Sequence, residues 1–538
     1  MMAQSANDVD VLIIGAGFAG IYQLHRALKA GYTARVLERG GDAGGTWYWN
    51  RYPGARCDVP SLAYSVSYLP DLDQEWTWPE AFAHQSDILQ YQLHIVERLG
   101  LRPHMTFNTE VTEAFWDGSR WQVRSEAGGV WSGRFLVMAT GTLVVPKTPN
   151  VPGLESFEGR WFHTGRWPHE PVEFQGRRVA VVGTGSTGIQ VIPIVAEVAK
   201  HLHVFQRTPK FSVPLGNRTL TEAEIATAKA NYPKARAAHR KADYGYHFDR
   251  PTYDLSKLPA KERRRLLQSA WNEGRFNSFL TSYAPNLGIV NQAVNDILAD
   301  FVRRKIHEVV KDPAVAETLT PHGYPIGVNR LCRDTQYYET FNRDNVTLVD
   351  TLKYPITAIT PKGIGTANAS YEFDDIIFAT GYDAMTGPIT SITVRGADGR
   401  TVKEAWADGA RTYLGVAISG FPNMFTITGP GGPSVLSNAI VTIEQNVDFI
   451  TTMIERMREN GMTTVNAQSD AEAAWMQRVH DAAQQSLYRE AHKANAWYTG
   501  ANVPGKKVQF LPFAGGVGTY EIITDEIAAD NYRGFVFA

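Results

Sequence analysis

Cysteine is nearly absent from this chain. Its 538 residues include only two, Cys57 and Cys332, which lie far apart in the sequence. This excludes a disulfide framework, a Cys-x-x-Cys redox pair and a local thiolate metal site. We therefore expect a protein of a reducing, cytoplasmic compartment without a resident metal ion.

Long apolar runs and an excess of one charge are also missing. The first apolar run, residues 9–14, is far shorter than a membrane span, and the residues before it lack a signal-peptide pattern. The 53 basic side chains nearly balance the 55 acidic ones, for a formal net charge of −2. Neither a membrane nor a nucleic acid is therefore an expected partner, and nothing in the sequence argues against a monomer.

Two glycine-rich turns are the first positive signals. Each follows a β-branched, aliphatic strand, at residues 9–14 or 178–182, and opens a helical stretch. The glycines and small polar residues of the turns are Gly15, Gly17, Gly20, Gly183, Gly185, Ser186, Thr187 and Gly188. Small residues let the backbone approach a pyrophosphate, and the free N–H groups of the helix favour its negative charge. We predict an α/β fold with two Rossmann-like dinucleotide-binding domains.

The end of the strand after each turn indicates which nucleotide binds there. After the first turn this position is Glu38, whose carboxylate can accept hydrogen bonds from a ribose diol and repels a 2′-phosphate. After the second turn the strand ends in Arg207 and Thr208, a cation and a hydroxyl that suit the 2′-phosphate of NADP. We expect FAD or NAD in the first domain and NADPH in the second.

Two Thr-Gly steps and a helical stretch predict the order of the domains. Residues 138–141 and 378–381 each end an apolar strand with Thr-Gly, which permits close backbone approach. Residues 219–321 are rich in Ala, Lys, Glu, Arg and Leu, which indicates a helical insertion. The predicted boundaries are 1–145 and 383–538 for the first, FAD-binding domain, 146–212 and 326–382 for the NADP-binding domain, and 213–325 for the insertion.

Further motifs carry a resemblance to a known family. Residues 157–168 match every fixed position of the pattern Phe-x-Gly-x-x-x-His-x-x-x-Trp-Pro, and residues 44–47, residues 52–54 and Asp58 form a second pattern. With both glycine turns and residues 497–506, the chain resembles the type I Baeyer-Villiger monooxygenases, which are class B flavoprotein monooxygenases, over nearly its whole length. The sister N- and S-oxygenating enzymes typically carry Tyr in place of the Trp of this fingerprint.

The resemblance implies a reaction and a catalytic pair. The enzyme is expected to convert a ketone into an ester or lactone with FAD, NADPH and O2 through a flavin C4a-peroxide, with sulfoxidation as a side activity. In the family an arginine after the helical insertion stabilises the peroxide and the oxyanion, and it matches Arg330 here. A carboxylate matching Asp58 orients that arginine.

The resemblance also assigns residues to the cofactors. Those expected beside the flavin are Gly45, Thr46, Trp47 and Asp58. Those expected beside NADPH are Gln190, Arg207, Thr208 and Trp497, and Arg330 is a further expected cofactor-binding residue. Many relatives have a lysine immediately before the catalytic arginine, where it helps bind the 2′-phosphate, but this chain has Asn329. We therefore expect a weaker preference for NADPH over NADH.

Two other segments have an implied role. Residues 429–437 resemble the branch acting on phenylacetone and steroid ketones more than the cyclohexanone branch, which favours bulky, aryl or longer-chain ketones. The pocket residues expected from this stretch are Ser434, Val435 and Leu436. We expect His163 of the fingerprint to be structural, in a segment that couples the movement of the two nucleotide domains.

Three alternative functions share parts of these motifs. An N- or S-oxygenating flavin monooxygenase has both nucleotide domains, but Trp167 and Arg330 argue against it. A flavin-dependent NADPH reductase is disfavoured because it needs a cysteine pair or a protein electron acceptor. A nucleotide sensor without catalytic activity would not oxidise NADPH rapidly.

Overall fold

Two β-sheets, one mixed and one parallel, form the centre of the protein, and each carries one of the glycine turns. A computed structural model describes residues 7–280 and 287–538. The strands in chain order are β1 (Asp8–Ile14), β2 (Ala34–Leu37), β3 (Met105–Thr106), β4 (Val111–Trp116), β5 (Trp121–Ser125), β6 (Val130–Met138), β7 (Arg160–His163), β8 (Arg178–Val182), β9 (His201–Gln206), β10 (Ser212–Pro214), β11 (Cys332–Asp334), β12 (Val346–Asp350), β13 (Ile356–Thr360), β14 (Gly363–Thr366), β15 (Ser370–Glu372), β16 (Asp375–Phe378), β17 (Thr393–Arg395), β18 (Met424–Thr426), β19 (Val465–Ala467) and β20 (Phe535–Phe537).

Helices cover both sheets and build the segment between β10 and β11. The α-helices are α1 (Phe18–Lys29), α2 (Thr46–Trp49), α3 (Leu72–Glu75), α4 (Gln85–Arg98), α5 (Ser186–Val198), α6 (Glu222–Lys241), α7 (Ala260–Asn272), α8 (Gln292–Val309), α9 (Pro313–Leu319), α10 (Tyr337–Thr340), α11 (Gly387–Thr390), α12 (Val402–Ala405), α13 (Ala439–Glu459), α14 (Ser469–Gln484) and α15 (Val517–Ala529). Short 3-10 turns lie between them, among them Ser434–Leu436, Leu487–Ala494 and Trp497–Thr499.

The first sheet has the strand order β17-β4-β5-β6-β1-β2-β3. β1 lies between β2 and β6 and is parallel to both, with Val11 opposite Ala34 on one side and Phe135 on the other. Helices cover a parallel sheet on both faces, which explains why β1 is apolar almost throughout. β18 pairs with the end of β6, and β17 pairs with β4. The C-terminal third of the chain therefore returns to the first sheet.

The second sheet has the order β12-β9-β8-β16-β7, with every pair parallel. Its edge strand β7 comes from the fingerprint segment, a strand that the sequence did not reveal. Trp161 on this edge is 45% exposed. Together the two sheets confirm the predicted α/β fold with two Rossmann-like units.

The predicted helical insertion is confirmed as α6, α7, α8 and α9. α6 starts with a capping box, in which Thr221 and Glu224 hydrogen-bond each other's backbone N–H groups. Near its end, Arg236 forms an ion pair with Asp73 at 2.6 Å, and the two side chains are only 11% and 6% exposed. Arg240, at the same end of α6, forms ion pairs with two carboxylates from outside this helix. These contacts fix the insertion against the first nucleotide unit.

Apolar packing joins the parts of the molecule. One buried cluster runs from Leu12 in β1 through Val181 in β8 to Phe301 in α8. The core is therefore continuous between the two sheets and the insertion. Within residues 7–280 and 287–538, no helix is long and apolar enough to cross a membrane. The same residues contain no group of three or more His, Cys, Asp or Glu side chains placed to hold a metal ion.

Candidate active site

The first glycine turn leaves no room for side chains at its first and last glycine. A Cβ atom on Gly15 would lie 2.6 Å from the carbonyl oxygen of Ala139, and one on Gly20 would lie 1.8 Å from that of Gly15. Gly45 approaches the turn so closely that its Cβ would lie 2.8 Å from Cα of Gly17. α1 begins at once after Gly17, without a side-chain cap on its first N–H groups. These donors suit a pyrophosphate.

The second turn repeats this construction. A Cβ atom on Gly183 would lie 2.5 Å from the carbonyl oxygen of Ala379, and one on Gly188 would lie 2.1 Å from that of Gly183. Gly185 differs, because a Cβ atom there would meet nothing within 4 Å. In both turns the alanine of an Ala-Thr-Gly step lies over the first glycine. The structure thus places each Thr-Gly step against one turn, as their parallel positions in the sequence suggest.

Glu38 lies at the end of β2, beside the first turn. Its two carboxylate oxygens accept hydrogen bonds from the backbone N–H groups of Ala16 and Gly40, both at 2.7 Å. Burial raises the pKa of Glu38, and the two N–H donors act in the opposite direction. The carboxylate is held in place with acceptor capacity left, which suits the ribose diol of an adenosine.

A cluster of cations surrounds the end of β9. Arg207 is exposed, Thr208 is half-buried, and Arg207 forms no ion pair within the described part of the chain. Lys147 and Lys210 lie near Arg207: burial lowers the pKa of both lysines, that of Lys210 to about 8, and the charge of Arg207 lowers both further. These two lysines could not be predicted, because no motif marks them. Asn329 is half-buried. Although position 329 is not a lysine, the two lysines near Arg207 provide positive charge at this end of β9.

Gln190 connects the two nucleotide units. Its amide oxygen accepts a hydrogen bond from the hydroxyl of Tyr52 at 2.8 Å, and its amide nitrogen donates to the backbone carbonyl of Arg56 at 3.1 Å. Gly54 packs so tightly against α5 that its Cβ would lie 2.6 Å from the carbonyl oxygen of Gln190. Gln190, which is predicted to contact NADPH, is thus in direct contact with the loop that leads to Asp58.

Thr46 and Trp47 belong to the short helix α2, which starts next to Gly45. Trp47 is buried, and its indole N–H donates to the hydroxyl of Tyr64 at 3.2 Å. Ser186 is the first residue of α5, and its hydroxyl lies 3.4 Å from the thiol of Cys332.

Arg330 and Asp58 form a two-pronged ion pair, although 272 residues separate them in the sequence. Nε of Arg330 donates to Oδ2 of Asp58 at 2.8 Å, and Nη2 donates to Oδ1 at 2.6 Å. Nη1 donates to the backbone carbonyl of Val435 at 2.6 Å. Asp58 raises the pKa of Arg330 far above its usual value, against the effect of burial. The guanidinium is therefore a permanent, oriented cation.

A second arginine, which the sequence did not single out, holds the same loop. Nη1 of Arg333 donates to the backbone carbonyl of Asp58 at 3.1 Å. Its Nη2 donates to the carbonyls of Leu215 and Gly274 at 2.8 and 2.7 Å. Arg333 has no ion-pair partner within the described residues, and burial lowers its pKa. It joins the insertion, β11 and the Asp58 loop.

A cavity of about 110 Å³ adjoins the Arg330–Asp58 pair. Its lining includes both arginines of this site and several aromatic side chains, among them Tyr246 and Tyr498. Val435 and Leu436 also line the cavity, whereas Ser434 is buried behind them in a left-handed conformation with φ of 42°. Trp497 is half-buried outside the lining and packs on Tyr498 with ring centroids 5.3 Å apart.

His163 of the fingerprint lies away from this cavity, at the end of β7. Its Nδ1 accepts a hydrogen bond from the N–H of Gly165 at 3.0 Å, and its Nε2 lies 3.2 Å from the hydroxyl of Thr380. Thr380 in turn donates to the backbone carbonyl of Lys147. Burial lowers the pKa of His163 to about 4, so the ring is neutral. Through Thr380, His163 links β7 to the two segments by which the chain passes between the sheets, one with Lys147 and the other with Thr380.

The described residues fit two bound dinucleotides. Bare backbone at the starts of α1 and α5 provides two pyrophosphate sites, Glu38 marks the first as one for an unphosphorylated ribose, and Arg207 marks the second as one for a 2′-phosphate. The fixed cation Arg330 and its cavity lie between these units. This arrangement can hold two redox nucleotides and stabilise a negative oxygen on a small organic substrate.

Comparisons with known proteins agree with this geometry. The profile of the flavin-binding monooxygenase-like family matches residues 8–214. Cyclopentanone 1,2-monooxygenase from Comamonas sp. (strain NCIMB 9872) is 40% identical over 542 residues, which cover 100% of this chain and 98% of that protein. A solved structure described as oxidized steroid monooxygenase bound to NADP is 44% identical, with a TM-score of 0.92 over 98% of this chain and 99% of that one. The structure of OTEMO in complex with FAD and NADP is 38% identical, with a TM-score of 0.93 over 98% and 99% of the two chains.

Proposed function

This chain belongs to the Baeyer-Villiger group of flavin-binding monooxygenases, and from that premise we propose that it oxidises ketones to esters or lactones with O2. FAD and NADPH are its cofactors, in agreement with the bound FAD and NADP of the solved relatives. The ketones named for the relatives, cyclopentanone and a steroid, set the range of substrates to test first.

The observation that carries this proposal is the fixed cation in the cavity between the two nucleotide units. Arg330 is held at both ends, by Asp58 on one side and by the carbonyl of Val435 on the other. Oxygen insertion beside a carbonyl places negative charge on oxygen atoms. A preorganised guanidinium stabilises such charge without a reorganisation cost during the reaction.

The residues have distinct tasks in this proposal. Reduced FAD supplies the activated oxygen when it is bound, and NADPH supplies the electrons. Arg330 stabilises the negative oxygen on the substrate and keeps its own protons throughout. Asp58 orients Arg330 through both carboxylate oxygens, and Gln190 keeps the NADPH unit in register with the loop that carries Asp58.

The remaining assignments from the sequence stand as proposals supported by position. The FAD residues proposed are Gly15, Gly17, Gly20, Glu38, Gly45, Thr46 and Trp47. The NADPH residues proposed are Gly183, Gly185, Ser186, Thr187, Gly188, Gln190, Arg207, Thr208 and Trp497, to which we add Lys147 and Lys210. The proposed domain division remains the one given by residues 1–145, 146–212, 213–325, 326–382 and 383–538.

The cavity suits a ketone with an apolar or aromatic face. Aromatic and aliphatic side chains line it beside the Arg330–Asp58 pair. Val435 and Leu436 contribute apolar surface to the lining, whereas Ser434 sets the backbone shape of this loop from behind.

A ketone panel tests the proposed reaction. Purified holoenzyme with NADPH and O2 is given cyclic, aryl and steroid ketones in parallel with amines and sulfides, and the products are identified by mass spectrometry. We expect esters or lactones from ketones, with sulfoxides from some sulfides. Oxidation of amines or sulfides without any ester would instead identify an N- or S-oxygenating enzyme, and NADPH oxidation without oxygenated product would identify a reductase.

A further inference from the structure

The cavity beside Arg330 contains a side chain that no step of the proposed reaction uses. Tyr246 lies in the insertion, between the end of α6 and the start of α7, and it lines the cavity together with Arg330 and Arg333. Its ring packs against Phe248 at 5.4 Å between centroids. Among the described residues, the hydroxyl group of Tyr246 has no hydrogen-bond partner. The wall of the cavity therefore includes an unused hydroxyl group.

This free hydroxyl is unusual for a tyrosine in such surroundings. Tyr498 lines the same cavity, and its hydroxyl donates to the backbone carbonyl of Val328. Polar groups removed from bulk water nearly always have a partner, because an unpaired group loses its hydrogen bonds to water without replacement. The hydroxyl of Tyr246 is therefore available to a molecule that enters the cavity.

The hydroxyl of Tyr246 lies close to the Arg330–Asp58 pair. Burial raises the pKa of Tyr246 to about 12, and the charges of Arg333, Asp58 and Arg330 act on the same hydroxyl. Tyr246 in turn affects the pKa of both arginines. At neutral pH the hydroxyl keeps its proton, so it can donate a hydrogen bond.

Arg330 keeps donors for the same molecule. Each of its three guanidinium nitrogens makes one hydrogen bond, to Asp58 or to the carbonyl of Val435. The two terminal nitrogens each carry a second N–H group, which these contacts leave free. The cavity therefore offers a fixed cation with free N–H groups and a neutral O–H donor, a combination that suits one oxygen atom on which negative charge develops.

We propose that Tyr246 is a second hydrogen-bond donor to the carbonyl oxygen of the ketone, acting together with Arg330. This inference rests on the proposed ketone oxidation and adds a catalytic residue to it. The insertion then has two tasks. Its helix α6 fixes it to the first nucleotide unit, and the segment after α6 supplies a donor to the active site.

The two donors act while charge develops on the carbonyl oxygen. When an oxygen atom forms a bond to the carbonyl carbon, the π electrons of the C=O bond move onto the carbonyl oxygen. Tyr246 and Arg330 hold this oxygen by hydrogen bonds and keep their protons. When the carbonyl bond forms again in the ester, the charge leaves the oxygen. Donors that are in place before the reaction bind the charged oxygen more strongly than the neutral carbonyl of the starting ketone.

Infrared spectroscopy tests this contact without turnover. Cyclopentanone labelled with ¹³C at its carbonyl is bound to oxidised holoenzyme with NADP+ present, and its carbonyl stretching band is isolated from the difference between labelled and unlabelled samples. A hydrogen bond to the oxygen weakens the C=O bond and lowers this frequency. We therefore expect the band to lie at a higher frequency in Tyr246→Phe than in the unaltered enzyme.

The rate of lactone formation measures the contribution of Tyr246 to catalysis. In Tyr246→Phe, kcat and kcat/KM for cyclopentanone should both fall about 100-fold, because the lost donor acts mainly on the charged oxygen. FAD content and Tm should stay unchanged, since phenylalanine keeps the ring in place. The matched control is Tyr354→Phe, which removes a tyrosine hydroxyl between β12 and β13, outside the cavity. It should keep both the carbonyl band and the rate of the unaltered enzyme.

Either of two results would overturn the role of Tyr246. One is an unchanged carbonyl band in Tyr246→Phe, even if the rate falls, because a purely structural role would give that combination. The other is lactone formation by Tyr246→Phe at the rate of the unaltered enzyme. A failure of the ketone oxidation itself gives a different result, because the unaltered enzyme would then form no lactone, and the inference would fail with it.

Discussion

Asp58 is the residue on which the electrostatics of the candidate site depend, because two guanidinium groups contact it. Burial alone would raise the pKa of this carboxyl, but Arg330 and, to a smaller extent, Arg333 outweigh burial and hold the pKa below its usual value. Asp58 therefore stays ionised at neutral pH and keeps both prongs of its contact with Arg330.

The substitution Arg333→Leu should impair the site without touching Arg330. It removes the contact that holds the backbone carbonyl of Asp58 and a positive charge that lowers the pKa of its carboxyl. We expect kcat/KM for a ketone to fall about 10- to 100-fold through misplacement of the pair. Since the pKa of Asp58 rises, the loss of activity on acidification should begin at a higher pH than in the unaltered enzyme.

A pH profile of kcat/KM measures this shift. The control Arg343→Leu removes an exposed arginine from the same part of the chain, and it should leave the profile in place. A lower rate with an unchanged acidic limb would show that Arg333 acts only on packing and not on the ionisation of Asp58.

Sequence and structure differ most at this scale. The partnership of Arg330 with Asp58 was expected only through resemblance to a family, because no local spacing joins residues 272 positions apart. Arg333 and Tyr246 escaped the sequence analysis, since an isolated arginine or tyrosine has no signature until folding brings it to a cavity.

The two glycine turns show how an element encodes both folding and binding. Gly188 faces the backbone of its own turn, whereas Gly185 faces open space where a nucleotide would lie. We expect Gly188→Ala to reduce the yield of folded protein, because its Cβ would lie 2.1 Å from the carbonyl oxygen of Gly183. Gly185→Ala should fold with normal thermal stability and full FAD content, but bind NADP+ at least tenfold more weakly, a loss of about 1.4 kcal/mol.

Calorimetric titration with NADP+ and a thermal melt of each variant separate the two effects. Normal NADP+ affinity in Gly185→Ala would mean that the pyrophosphate does not approach the second turn.

His163 gives the fingerprint element a pH-dependent stability. The pKa of the folded histidine is about 4, below its usual value near 6.5, because of burial. As the pH falls from 7 to 5, the imidazole of His163 takes up a proton in the unfolded chain but not in the folded chain. The folded state therefore loses stability over this range. We expect the stability difference between the unaltered protein and His163→Gln to shrink by about 2 kcal/mol between pH 7 and 5.

Urea denaturation at the two pH values measures that difference. The neighbouring exposed His169 provides the control His169→Gln, for which a much smaller change is expected. A difference for His163→Gln that does not vary with pH would contradict a neutral, buried ring.

Element boundaries were predictable where the periodicity is strong. β8 begins and ends at the predicted residues, whereas α1 begins at Phe18, inside the first glycine turn. The first residues of this helix belong to the glycine turn, and their composition does not predict a helix. β7 was missed because its four residues carry an aromatic motif and lie at a sheet edge, with little apolar alternation.

The whole molecule depends on how the insertion is fixed to the first nucleotide unit. Two glycine turns and a helical stretch were enough to predict two Rossmann-like units with an insertion. The side of the molecule on which the insertion packs was not predictable, because the anchoring pair joins Asp73 to Arg236 across 163 residues.

Removing this anchor should destabilise the folded enzyme as a unit. Asp73→Ala leaves the guanidinium of Arg236 buried without a carboxylate, and the loss of such a partner costs about 3 kcal/mol. Differential scanning calorimetry of the holoenzyme should show a lower Tm than for Arg218→Ala, which breaks a solvent-exposed pair at the other end of α6. Equal Tm values for the two variants would show that α6 does not depend on this pair.

The most direct test of the account is the fate of molecular oxygen in Arg330→Ala. Holoenzyme and variant are supplied with NADPH, cyclopentanone and ¹⁸O2, and the lactone is analysed by mass spectrometry. We predict that the unaltered enzyme incorporates one ¹⁸O atom into the lactone, whereas the variant retains FAD and oxidises NADPH but forms no lactone. Labelled lactone from Arg330→Ala at the rate of the unaltered enzyme would contradict the account.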